Sequence, residues 1–131
     1  MSWSLQQAVF AALSGDAAVT VLLGPDRIFD DVPQGTALPY ITLGRMTAKD
    51  WSTGSEDGTE HTFTVHVWSG ARGRKQAHEL LSAVRAALHD RPLAVAGHSL
   101  VNLRHEHSEF RRDSDGETVH GLARFRAVTE P

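Results

Sequence analysis

Residues 60–90 read EHTFTVHVWSGARGRKQAHELLSAVRAALHD, and the fold turns on how this stretch is read. Its first part alternates. Phe63, Val65 and Val67 fall on one side of an extended chain, and Thr62, Thr64, His66 and Trp68 on the other. Its second part switches to helical spacing, with Ala77, Leu80, Leu81, Val84 and Leu88 forming one apolar stripe. A strand and a helix that share a hydrophobic side make a core-building unit of a small α+β domain. No catalytic pattern sits on this unit, so the chain reads as a scaffold whose surface does the work.

Working outward, Leu5, Val9, Ala12 and Leu13 mark an N-terminal amphipathic helix that Gly15 is placed to end. Asp16 can cap a short helix over Ala17–Leu23, which Gly24-Pro25 stops. Ile28–Val32 reads as a short strand, and LPYITLG at 38–44 as a second that extends toward Trp51. Ser52–Thr59 (STGSEDGT) has no hydrophobe and two glycines, the composition of a mobile hairpin tip. After the main helix Pro92 enforces a stop, since the residue before a proline avoids the helical region. Leu100–Arg112 and Glu117–Thr129 are the last two strands, flanking the turn signal Asp113-Ser114-Asp115-Gly116. The expected architecture is one domain over residues 1–131, with a mostly antiparallel sheet and two main helices packed on one face. Its opposite face must be polar or covered by something else.

Composition narrows the function classes. The chain has 131 residues, 40% of them hydrophobic and 22% charged, which fits a globular domain that needs no disulfide or metal to be stable. No apolar run approaches the ~18 residues of a membrane span, and the N-terminus lacks the basic start of a secretory signal. A net charge of −3 argues against a dedicated nucleic-acid binder, although eleven of the thirteen basic residues are arginine. The absence of cysteine fits a reducing compartment.

Four patterns suggest chemistry, and each has a plainer reading. Gly97-His98-Ser99-Leu100 approaches a nucleophile elbow, but Val101 stands where the second glycine belongs. His105 and His107 would share a face of a regular strand and bind one metal with His120 from across the hairpin. No HExxH or cysteine pair accompanies them, so solvated strand positions or subunit contacts are preferred. Gly70–Lys75 lacks the Ser or Thr of a phosphate loop, because Gln76 follows Lys75. Asp50, Glu56, Asp57 and Glu60 lack the spacing of a calcium loop and read as a solvated tip. The expectation is therefore no catalytic residue, no metal site and no cofactor.

What remains is surface. One of Trp3, Trp51 and Trp68 is expected in the core, while Trp51 and Trp68 are candidates for protein contacts. Asp50, Glu56 and Asp57 on the first hairpin are expected to meet Arg72, Arg74 and Lys75, or Arg111 and Arg112, on an adjacent subunit.

AVFAALSGDAAVTVLLG, RIFDDVPQGTALPYITLG, DWST, EHTFTVHVWS, GRKQAHELLSAVRAALHD, LVNLRHE and HGLARFRAVTEP occur in that order along nearly the whole chain. Together they resemble the tail terminator, or tail completion, proteins of long-tailed phages and related gene transfer agents. The specificity lies in ordered co-occurrence, chiefly PQG…LPYITLG and the strand–helix unit. The resemblance implies an α+β subunit of a homo-hexameric ring at the head–tail junction of a virion or phage-like particle. Such a ring caps the tail tube protein, stops its polymerisation and meets a head-side connector or stopper, while DNA passes through the lumen without sequence-specific binding. It implies no membrane partner. Another neck component, or a metal-binding protein built on His105, His107 and His120, is the alternative.

Overall fold

The computed structural model describes residues 2–54, 56–70, 73–112 and 118–131. Helices α1 (Ser2–Ser14) and α2 (Ala17–Leu23) are followed by strands β1 (Ile28–Phe29), β2 (Tyr40–Asp50) and β3 (Thr59–Gly70). Helix α3 (Arg74–Leu88) and the hairpin of β4 (Ser99–Arg112) and β5 (Thr118–Glu130) complete the chain. The sheet order is β1-β2-β3-β5-β4. Every neighbouring pair is antiparallel except β1 with β2, which is parallel.

The alternation of β3 holds along its length: His61, Phe63, Val65, Val67 and Ser69 are buried, and the residues between them are half-buried. On α3 the whole expected stripe is buried, with Ala83 and Ala87 added to it. Helices α1 and α3 pack on the same sheet face and on each other, forming a two-layer α+β domain around one core. Burying each of the larger apolar side chains among them, such as Phe63, Val65, Val67, Leu80 and Leu88, contributes roughly 1.5–3 kcal/mol. At the centre, Phe63 and Phe125 stack with ring centroids 5.4 Å apart. Gly121 of β5 leaves room for side chains of both layers: a Cβ there would meet Val67 Cγ2 at 2.8 Å and Leu81 Cδ1 at 3.1 Å.

Local signals explain several boundaries. The Asp16 carboxylate accepts from the Ala18 N–H at 3.1 Å and starts α2. Gly24, at φ 85, ends it, and its own N–H donates to the Thr20 carbonyl at 2.8 Å.

Other boundaries differ from expectation. The first strand spans only Ile28–Phe29, because β2 offers it just Ile41 and Thr42, and the Asp30 carboxylate accepts from the Gln6 side chain instead. Helix α3 ends at Leu88, before Pro92 can act. His89 is extended and Asp90 left-handed at φ 56, and their contacts lie on β4. The His105 N–H donates to His89 Nδ1 at 2.9 Å, and the Asp90 N–H donates to the Leu103 carbonyl at 2.7 Å. This segment covers part of the edge of β4, and two register shifts interrupt the strand further. A long edge strand is thereby protected from pairing with a stray chain.

Candidate assembly surfaces

The acidic residues singled out from the sequence gather at one end of the sheet, on the hairpin joining β2 to β3. Asp50 Oδ1 accepts from the Ser52 N–H at 3.1 Å and from the Ser52 hydroxyl at 2.6 Å. These bonds, the hydroxyl's first, hold its carboxyl below the usual carboxylate range. The Trp51 N–H donates to the Gly58 carbonyl at 2.9 Å, and the Thr53 N–H to the Glu56 carbonyl at 2.8 Å. The tip, read as mobile, is thus cross-braced, with Glu56 and Asp57 exposed on it. Asp50, Asp57 and Glu130 line a cavity of about 290 Å³ beside it.

Trp51 stands at the base of this hairpin, 49% exposed, with the Arg126 guanidinium 5.3 Å above its ring. Arg126 Nε and Nη2 also reach Glu60 Oε2, at 2.9 and 2.8 Å. Glu60 therefore belongs to an ion pair on the open sheet face and not to an oxygen cluster at the tip.

At the other end of the sheet, α3 and β4 bring together cations far apart in sequence. Arg74, Arg111 and Arg112 line a cavity of about 290 Å³ with His78, Phe110 and Val119. The His78 ring lies over Phe110, centroids 3.9 Å apart, so the cavity has an aromatic wall. Lys75 points elsewhere and approaches Glu79 at 3.9 Å, an exposed pair of little energetic weight. Arg72 lies outside the described residues, as does the turn over 113–117.

Trp68 lies at this same end but on the other face of the sheet, in register with His120 and, through it, with Arg111. It sits on the sheet face opposite the helices, where the His120 ring stacks on it at 3.9 Å and 3°. Its indole N–H donates to Thr42 Oγ1 at 3.0 Å, and His66 Nδ1 and His120 Nε2 share a hydrogen bond of 2.7 Å. The expectation of a core tryptophan is corrected: Trp3 and Trp51 are exposed and Trp68 is half-buried. The Phe63–Phe125 stack takes the central aromatic position instead.

The histidine metal reading also fails on geometry. A register shift falls between His105, paired with Phe125, and His107, paired with Arg124, so the two imidazoles leave on opposite faces. His120 keeps company with His66, not with His105. Among the described residues no three His, Asp or Glu side chains are grouped to hold a metal ion. Ser99 is simply the exposed first residue of β4.

One surface was missed. Trp3 and Phe10 of α1 are 59% and 43% exposed, and with Gln6, Gln7 and Asp30 they line a cavity of about 350 Å³. Their i, i+7 spacing was visible in the sequence, on the helix face opposite the Leu5 stripe.

Residues 7–130 match the family model described as Tail completion protein gp17. Tail completion protein gp17 of Bacillus phage SPP1 is 32% identical over 88 residues, covering 67% of this chain and 65% of that protein. The match therefore spans less than two thirds of that relative's length. A chain of the solved virion of a native gene transfer agent (GTA) particle aligns with a TM-score of 0.91 at 30% identity, covering 99% of this chain and 97% of that one. Both relatives are components of phage or GTA particles. With nearly its whole length matched, the chain belongs to the family of Tail completion protein gp17, a family of structural phage tail proteins and not of enzymes.

Proposed function

We propose that the chain is a tail terminator subunit. Six copies form a ring on the last ring of the tail tube, end tube polymerisation, and present a surface to the head-side connector, with DNA passing through the lumen. The observation that carries this reading is the end-to-end likeness to a chain of a GTA particle, at a TM-score of 0.91. Electrostatics supports it. On the open sheet face Arg126 approaches Glu60 at 2.8 Å and Arg124 approaches Glu106 at 3.7 Å. With these two arginines paired, on a chain of net charge −3, the face is less basic than its arginines alone would make it, which is compatible with letting DNA slide past.

Reconstruction of particles carrying this protein tests the proposal. The expected result is a six-fold ring of this subunit between tail tube and connector. Deleting the gene is expected to give heads and tails that stay separate, with tails of irregular length. A location at the tail tip, in the head-side stopper ring, or in a ring of another symmetry overturns it.

A further inference from the structure

The acidic hairpin and the arginine-lined cavity lie at opposite ends of the same strand. Asp50 pairs in register with Thr59 at one end of β3, and Thr118 pairs with Gly70 at the other. β3 has 12 residues, a length of about 40 Å at ~3.3 Å per residue, so the two sites cannot meet within one chain. The hairpin projects Glu56 and Asp57 on a frame already held by its own hydrogen bonds, so docking it orders little additional backbone. The cavity offers Arg74, which makes no ion pair among the described residues. Arg111 lines its rim from β4, and among the described residues its guanidinium approaches Glu109 at 3.5 Å. Arg112 lines the cavity too but is engaged within its own chain.

We infer that the β2–β3 hairpin of one copy docks in the arginine-lined cavity of the next, with Glu56 and Asp57 facing Arg74 and Arg111. The occupant is a second copy because the complementary charge sits on this chain, at the end that is otherwise unmatched. Such a contact joins two different patches and repeats until it closes. Six lengths of about 40 Å laid end to end close a circle roughly 75 Å across, which leaves an open centre. The inference rests on the ring reading and names its contact.

Charge exchange tests it, in particles and by the mass of the assembled protein. Glu56→Lys with Asp57→Lys, and separately Arg74→Glu with Arg111→Glu, are each expected to lower joined-particle yield by about tenfold or more. Combining all four is expected to restore the yield to within about threefold of wild type. Because all four residues are exposed, unchanged unfolding midpoints confirm that each variant folds. Folded charge variants that assemble like wild type, or a folded four-fold variant that is not rescued, overturn the contact. A ring seen in wild-type particles would then stand without it, whereas absence of that ring removes both readings. As a direct readout, Asp57→Cys with His78→Cys in this cysteine-free chain is expected to give disulfide-linked multimers of assembled protein under oxidation.

Discussion

Leu81 shows how much one side chain carries. It is 5% exposed between α3 and the sheet, with its Cδ1 near the backbone position of Gly121. Leu81→Ala removes three carbons from a site that rigid neighbours on both sides keep from collapsing. Chemical denaturation is expected to show a loss of ~2–5 kcal/mol, and an unchanged unfolding free energy would refute the packing. His61 makes a different residue-scale prediction. It is 1% exposed, its Nε2 is 2.9 Å from Thr129 Oγ1, and its Nδ1 has no hydrogen-bond partner. Burial first, then the nearby His98, holds its pKa below the ordinary 6.5. His66 shifts the same way through burial and then Arg111, and His105 through burial and then Arg85. The unfolded chain therefore binds protons at these sites that the folded chain refuses. Stability is complete above the unfolded value of 6.5 and falls as pH drops from there toward the lower folded values. The slope is at most about 1.4 kcal/mol per pH unit for the buried His61 and smaller for the more exposed His66 and His105, which solvent screens. Thermal melts between pH 7.5 and 5.5 check this, and His61→Gln is expected to flatten the curve.

At the scale of elements, the two hairpins and the β4 edge divide the labour. The β4 edge is blocked by His89 and Asp90 and by its own register shifts, so it is poorly suited to recruiting another strand. The β2–β3 hairpin is exposed and braced, with its side chains directed away from the core. Replacing Ser52–Thr59 with a two-residue turn is expected to shift the unfolding midpoint little, since the hydrophobic core holds none of these residues. The same deletion is expected to yield particles whose tails are not correctly joined. Normal joining and normal tail length, read by electron microscopy, would show that the hairpin is not an assembly element.

For the whole molecule, the helical layer and the sheet were legible because their signals are local and periodic. Phe63, Val65 and Val67 at period two, and Leu80, Leu81, Val84 and Leu88 at helical spacing, name their buried faces before any partner is known. Asp16 and Gly24 name their helix ends for the same reason, since a cap acts within a turn of its own position. What the chain alone did not decide was pairing across distance. The sequence places Arg74 and Arg111 far apart, and only the contact of α3 with β4 makes one cavity of them. A pattern of alternating residues does not reveal a register shift, so His105 and His107 looked like one pair until the shift turned them to opposite faces. It also does not say which strand is a neighbour, so the His66–His120 bond and the Trp68 stack were out of reach. The sequence by itself determined the elements, their buried faces and the family likeness, because these depend on short-range sterics and hydrophobic periodicity. The tertiary structure alone decided which surface residues share a site, because strand order, register and helix docking are settled by packing the whole core at once.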